Sequence, residues 1–201
     1  GKFTQPFNRT SLNPTYKWIK STIGLTSMNF SPYTLTGHLF LGAGVDLTPG
    51  KWKISLMAGR LNKEIAYNAL EDNLNQITFR RFGYGLKCGY ENKGFGGTII
   101  LFKAKDNKTS LPFIPLNSTV KPQDNFVFSV SGKATVFKNI FLEAEYALSS
   151  LTQNLNEANA SEGQSSLSFL NPLVHANATT DFFQAYKTSL KYQRKWMNVG
   201  F

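Results

Sequence analysis

Residues 38–58 decide the fold, and they read HLFLGAGVDLTPGKWKISLMA. In the first half, every second residue from Leu39 to Leu47 is apolar, and the residues between them are mostly small or polar. The second half repeats the pattern at Trp52, Ile54, Leu56 and Ala58. A period of two indicates β-strands whose two faces meet different surroundings.

A tight turn joins the two halves at Thr48-Pro49-Gly50-Lys51. Proline fixes its own φ and glycine accepts a positive φ, which suits a type II turn. Residues 37–48 and 51–61 are therefore predicted to form a hairpin. The same pattern predicts one earlier strand and three more hairpins. These are 16–30, then 78–91 with 95–105, 124–137 with 140–149, and 182–193 with 196–201.

The predicted connections are of two kinds. Those within hairpins are two to four residues long, whereas those between hairpins are long and polar and span 62–77, 106–123 and 150–181. The exception is the connection from Ser31 to Gly37, which is short. Short turns alternating with long loops are typical of outer-membrane β-barrels, as are strands of about 9–11 residues. The sequence thus predicts an all-β fold, an antiparallel up-and-down meander of about nine strands that forms an outer-membrane β-barrel or a partial barrel.

The first long loop has a second pattern of its own. Ile65, Ala66, Ala69, Leu70 and Leu74 follow one another at near-helical spacing. This spacing is compatible with a short helix over the barrel mouth and equally with an irregular loop.

The composition excludes several classes of protein. Aromatic residues make up 14% of the chain, a content that disordered chains lack. The single cysteine, Cys88, excludes a disulfide scaffold and a four-cysteine zinc site. No stretch approaches 18 consecutive apolar residues, so no transmembrane helix is expected, and the β-barrel is the membrane class that remains. The net charge of +10 indicates an anionic neighbour.

The predicted strand count is odd, whereas simple bacterial barrels have even numbers of strands. The last segment, 196–201, is short and follows a tight turn, so it would end on the loop side. We therefore expect residues 1–201 to form a single β-barrel-like domain that is an incomplete portion of a longer barrel. The alternative is a curved open sheet that needs a partner, because an exposed edge strand is a pairing hazard.

Several stretches resemble a widespread family of Bacteroidetes outer-membrane proteins. They are Gln5-Pro6-Phe7-Asn8-Arg9, Asn13-Pro14-Thr15-Tyr16-Lys17-Trp18, Ser31-Pro32-Tyr33-Thr34-Leu35-Thr36-Gly37-His38, 42–51, Phe82-Gly83-Tyr84-Gly85-Leu86-Lys87, Lys103-Ala104-Lys105-Asp106 and Asn171-Pro172. The resemblance covers most of the chain and implies a barrel in the outer membrane of a Gram-negative cell. It also implies a longer protein that continues past Phe201, and it supplies no catalytic residues. Barrel-like proteins of such bacteria also serve type 9 secretion and gliding, so the lineage suggests an accessory role beside a secretion channel as an alternative.

Lysines recur on the predicted polar faces of the strands. They are Lys51, Lys53, Lys87, Lys103, Lys105, Lys133, Lys187 and Lys191. In a barrel they would line a basic lumen that favours anionic solutes. The alternative is a solvated face with weak selectivity. Nucleic-acid binding is not expected, because aromatic residues and lysines mostly occupy opposite faces.

Other reactive residues do not combine into a catalytic pattern. His38 and Asp46 share a face but lie about 27 Å apart along the strand, at about 3.4 Å per residue. His175 lies in the last long loop, and Glu143 and Glu145 are expected to meet water and neighbouring lysines. The glycines near Gly83 lack a following GK[ST] motif, so they do not indicate a phosphate loop. We expect no enzyme activity, no cofactor and no metal site.

Two functions remain. The first is an outer-membrane β-barrel segment with a structural or solute-passage role, in contact with membrane lipid. The second is a peripheral β-sheet subunit of a larger outer-membrane assembly, such as the type 9 protein secretion translocon, which plugs or gates its channel from the periplasmic face.

Overall fold

The computed structural model describes residues 11–70, 74–136, 139–157, 174, 176–194 and 197–200. Within these residues the chain forms eleven β-strands and one short 3-10 turn, Leu74–Gln76. The strands are β1 (Ser11–Leu12), β2 (Thr15–Tyr16), β3 (Ile19–Ser27), β4 (Leu39–Leu47), β5 (Trp52–Asn62), β6 (Arg81–Asn92), β7 (Phe95–Asp106), β8 (Asp124–Val136), β9 (Ile140–Thr152), β10 (Thr180–Arg194) and β11 (Met197–Gly200). None of the helical segments in this part of the chain has the length and hydropathy needed to cross a membrane.

All eleven strands belong to one antiparallel sheet. Its order follows the sequence from β1 and β3 through to β11, and β2 lies beside β3. No pairing between the described residues joins β11 back to the first strands, so the sheet is not closed into a barrel. This confirms the prediction of an all-β antiparallel meander in the form of a partial barrel.

The strand count differs from the expected nine at the start of the chain. The predicted strand 16–30 is shorter and runs from Ile19 to Ser27 as β3. Two short strands, β1 and β2, precede it and pair with the same edge of β3. They are interrupted at Asn13 and Pro14, because proline has no backbone N–H to donate to a ladder.

The pairing register separates the sheet into two faces. The apolar face is defined by a row that crosses six neighbouring strands at Val45, Leu56, Leu86, Leu101, Phe128 and Leu148. The polar face is defined by the next row, which is Asp46, Ser55, Lys87, Ile100, Ser129 and Ala147. The alternation seen in the sequence thus becomes two continuous surfaces, because side chains of paired residues point to the same side.

The main hydrophobic core nevertheless lies on the face called polar here, where a loop covers the apolar side chains of that face. The connection 28–38 folds over the sheet and buries Phe30 and Leu35 against side chains of β4, β5, β7 and β8. Those partners are Phe40, Met57, Ile100, Phe102, Ala104 and Val127. The alternation in the sequence did not predict this packing.

Glycines in the sheet make room for this loop. A Cβ added to Gly44 would lie 2.5 Å from the sulfur of Met28, and one added to Gly85 would lie 2.5 Å from Cε2 of Phe30. The loop can therefore pack this closely only because these two positions have no side chain. Glycines in strands often mark sites where another segment approaches the backbone closely.

A second, smaller core holds two long loops together. Ile77 and Phe79 from the connection 63–80 pack with Leu111 from the connection 107–123, and Tyr67 and Ile114 lie against them. Ile65 pairs with Thr78 as an isolated bridge. The first loop thus folds back on itself as an irregular loop in its described residues, rather than as the short helix that Ile65 and its neighbours allowed.

Candidate functional site

The apolar face exposes large hydrophobic side chains on strand after strand. Leu41 on β4 is 46% exposed, Ile99 on β7 is 50% exposed and Tyr186 on β10 is 82% exposed. The same face also exposes Ile23, Leu39, Leu56, Tyr84, Val130, Leu142, Phe182 and Leu190. Soluble monomers rarely expose contiguous apolar patches of more than a few hundred Å². A surface of this kind indicates contact with lipid or with another protein.

Aromatic rings gather on this face at the end of the sheet that carries the short turns. Trp52 and Tyr90 pack edge to face with ring centroids 5.1 Å apart, and Tyr90 lies 6.0 Å from Phe95. Trp18 and Trp52 are about half exposed. Amphipathic aromatic residues of this type mark the boundary between lipid and water in membrane proteins.

The register places five of the predicted basic residues on the polar face. They are Lys53, Lys87, Lys133, Lys187 and Lys191. Lys51 lies in the turn before β5 rather than in a strand. The five strand lysines lie on the same face, as the alternation in the sequence predicted.

Lys103 and Lys105 do not share that face, so their prediction as polar-face residues is wrong. Lys103 pairs with Tyr84 and Phe126, which places it on the apolar face near the long loops. Its ammonium lies 3.4 Å from Asp124, and that of Lys105 lies 3.9 Å from the same carboxylate. Strand β7 has apolar residues on both faces, so the sequence alternation does not show which of its residues point to which face of the sheet.

Two lysines of the polar face bind one carboxylate. Glu91 is bound by Lys53 and by Lys133, whose Nζ lies 2.5 Å from Oε1 of Glu91. On β9, Glu145 is buried and accepts a hydrogen bond of 2.8 Å from Ser129. The first set of contacts joins β5, β6 and β8, and the second joins β8 and β9.

A count of charges shows that the polar face has mixed charge rather than a strong positive charge. Among the described strand residues it carries seven basic and six acidic side chains. The basic ones are Lys20, Lys53, Arg81, Lys87, Lys133, Lys187 and Lys191, and the acidic ones are Asp46, Glu91, Asp106, Glu143, Glu145 and Asp181. The expectation of a basic lumen rested on the lysines alone, because sequence periodicity does not show which carboxylates become their neighbours.

Lys87 has a different role from the other lysines. Its ammonium donates a hydrogen bond of 2.8 Å to the carbonyl oxygen of Phe30. Within the loop, the Phe30 amide donates to the carbonyl oxygen of Leu35 (2.8 Å), and the Gly37 amide donates to Asn29 Oδ1 (2.6 Å). The loop over the polar face is therefore a closed turn tied to the middle of β6.

An ion pair fixes the base of the first long loop. Arg80 donates through Nε to Glu64 Oε2 at 2.8 Å and through Nη2 to Glu64 Oε1 at 2.5 Å. These hydrogen bonds lower the pKa of Glu64 to about 2 and raise the pKa of Arg80. A bidentate guanidinium–carboxylate pair has a defined geometry as well as an attraction.

The remaining candidates for chemistry stay apart. His38 precedes β4, outside the strands, and His175 lies outside the described residues. Cys88 lies on the apolar face, in the register of Ile54 and Ile99. The described residues contain no group of three or more histidine, cysteine, aspartate or glutamate side chains that could hold a metal ion.

A comparison of the chain with known protein families, curated proteins and solved structures found no match. The two faces of the sheet and its two ends are therefore the features from which a function can be inferred.

Proposed function

We propose that this chain is a segment of an outer-membrane β-barrel with a structural or solute-passage role. The observation that carries the proposal is the exposed apolar face, which continues from β3 to β10. In an outer-membrane barrel such a face meets lipid, while the opposite face is polar and lines the interior. The sequence predicted a basic lumen, whereas the lumen in this proposal has mixed charge because the polar face carries similar numbers of basic and acidic residues.

The dimensions of the apolar face agree with a bilayer. On β7, Lys105 near the long loops lies ten positions after Phe95, which is beside the aromatic cluster. This separation is about 34 Å along the strand. At a strand tilt of about 40° it gives a height of about 26 Å, close to the apolar band of about 25 Å in such barrels. Lys103 and Lys105 then lie at the upper boundary, where charge is tolerated on a lipid-facing surface.

The loop that carries Phe30 and Leu35 fits the same proposal. It enters from the long-loop end and covers the middle of the polar face. In barrels with a filled interior, loops fold inward to narrow or close the lumen. This supports a structural or restricted-passage role better than a wide aqueous channel.

Extraction from a membrane tests the proposal. The chain is expressed with a signal for the outer membrane, and isolated membranes are washed with urea, with high salt and with mild detergent. We expect it to leave only with detergent and to migrate faster on an unheated gel than on a heated one. Release by urea or salt alone would argue for a peripheral protein.

The open sheet favours a second candidate function. Within the described residues, sheet edges remain at the strands before β3 and at β11, and unpaired edges are templates for another chain. A β-sheet subunit of a larger outer-membrane assembly, such as the type 9 secretion translocon, would bury them against its partner. Such a subunit leaves the membrane with urea together with that partner.

A further inference from the structure

The three short turns that the structure describes in full share one chemical feature. They are residues 17–18, 48–51 and 93–94. Each contains one lysine and none contains an aspartate or glutamate. The lysines are Lys17, Lys51 and Lys93.

The long connections at the other end have a different charge. Residues 28–38, 63–80, 107–123 and 153–179 together contain four basic and five acidic residues. They are Lys63, Arg80, Lys108 and Lys121 against Glu64, Glu71, Asp72, Glu157 and Glu162. In the sequence, the net positive charge of the connecting segments therefore lies in the short turns and not in the long connections.

Neighbouring turns are joined into a continuous rim. The Thr48 amide donates to the carbonyl oxygen of Trp18 at 2.9 Å, which connects the first turn to the second. The Glu91 amide donates to the carbonyl oxygen of Lys51 at 2.8 Å, which connects the second to the third. The Thr135 amide donates to the carbonyl oxygen of Gly94, which brings β8 against the third turn. Lys17, Lys51 and Lys93 are all exposed on this rim.

Each of these lysines has an aromatic residue beside it in the sequence or one residue further on. The neighbours are Trp18, Trp52 and Phe95. In the described part of the rim, Trp18, Trp52 and Phe95 are about half exposed. Tryptophan next to lysine is the combination found at the headgroup level of a bilayer, where the ring meets the acyl boundary and the ammonium meets phosphate.

We infer that the short-turn rim is an anchoring surface for anionic phospholipid headgroups. The occupant is fixed by charge complementarity and by the aromatic residues, which a soluble anion would not require. The inference rests on the proposed function for the orientation of the rim in the membrane. It goes further by assigning the short-turn leaflet an anionic lipid partner and the turn lysines the contact with its phosphate groups.

The test uses the whole chain in vesicles of phosphatidylglycerol and phosphatidylcholine in equal amounts. After mild detergent extraction, native mass spectrometry counts the lipids of each kind that remain bound. We expect enrichment of phosphatidylglycerol, and the double variant Lys51→Gln/Lys93→Gln should reduce it by about fivefold for each lysine removed. About 0.5 M salt during extraction should have a similar effect, because it screens exposed charges.

The matched control is Lys63→Gln/Lys121→Gln, which removes two exposed lysines from the opposite end. It should leave the enrichment unchanged, and Lys51→Arg/Lys93→Arg should retain it. Equal loss in the control pair, or no loss in the rim pair, would overturn the inference. Inorganic phosphate that displaces the lipid completely would also overturn it, because the aromatic residues would then contribute nothing.

A urea wash of the same vesicles separates this inference from the proposed function. One outcome is that the wild-type chain resists urea in vesicles of pure phosphatidylcholine and yet shows no enrichment of phosphatidylglycerol in the mixed vesicles. In that case the proposal of a barrel segment stands and the proposal of a rim site fails. If the chain binds only vesicles with phosphatidylglycerol and salt releases it, the rim site stands and the barrel segment fails.

Discussion

The ammonium of Lys87 lies 2.8 Å from the carbonyl oxygen of Phe30, so the middle of β6 holds the loop that covers the polar face. The phenyl ring of Phe30 lies against Gly85, two residues before Lys87 on the same strand. Strand β6 therefore supplies both the hydrogen-bond donor to the loop, Lys87, and the glycine against which the loop packs, Gly85. If the sheet is part of a barrel, this contact decides how open its interior is.

Lys87→Met should loosen the loop without unfolding the sheet. The loss of one hydrogen bond from a half-buried ammonium costs about 1 kcal/mol. The Phe30 amide, which bonds to Leu35 inside the loop, should then exchange its hydrogen about fivefold faster. Hydrogen exchange of the folded chain in detergent measures this rate. Lys187→Met, on the same face but on β10, is the control and should leave the rate unchanged.

Gly85→Ala should displace the loop by a direct steric conflict. The new Cβ would approach Cε2 of Phe30 to 2.5 Å and Cγ of Met57 to 2.8 Å. Overpacking of this kind costs about 1–3 kcal/mol, which urea unfolding in detergent would measure. The cost should fall when Phe30→Ala is combined with it, because the ring is then absent.

Gly132→Ala is the matched control for this substitution. A Cβ at Gly132 has no atom within 4 Å, and its φ is not positive. Its stability should change by no more than about 0.5 kcal/mol. A similar loss of stability in both variants would show that the close contact between Phe30 and Gly85 is not the cause of the destabilisation.

The Glu64–Arg80 pair should make the first long loop sensitive to acid. The pKa of Glu64 is about 2 in the folded chain, against 4.5 as its ordinary value. A depressed pKa contributes stability that is present above pH 4.5 and is lost as the pH falls toward 2. Thermal unfolding of wild type and Glu64→Gln should therefore differ at pH 6 and converge as the pH approaches 2.

Arg80→Gln provides the companion measurement. It removes the hydrogen bonds that lower the pKa of Glu64, so the pH dependence between 4.5 and 2 should weaken as it does in Glu64→Gln. A variant that kept the wild-type pH dependence would place its origin elsewhere in the loop.

The strands and their faces could be predicted from the sequence because side chains alternate wherever one face is apolar. The segments 37–48, 51–61 and 78–91 agree closely with β4, β5 and β6. The phase of β7 could not be predicted, because Ile99, Ile100, Leu101 and Phe102 are apolar on both faces. Lys103 and Lys105 were consequently placed on the wrong side.

The candidate site was only partly predictable. Lys53 and Lys133 were expected on one face, but their shared partner Glu91 depends on the register of β5, β6 and β8, which no local pattern specifies. The loop over the polar face could not be predicted, because Phe30 falls within the predicted strand 16–30 and Leu35 within the short connection that follows it. The glycines opposite them were the available signal, since Gly44 and Gly85 leave room on the face that the loop covers.

Site-directed labelling measures the environment of the two faces most directly. In a Cys88→Ala background, single substitutions Leu41→Cys, Leu56→Cys, Phe128→Cys and Leu142→Cys sample the apolar face, and Lys53→Cys and Lys133→Cys sample the polar face. In membranes, the first set should react with a lipid-phase probe and resist an aqueous one, while the second set should react from water. Equal aqueous labelling of both sets would contradict a lipid-facing sheet.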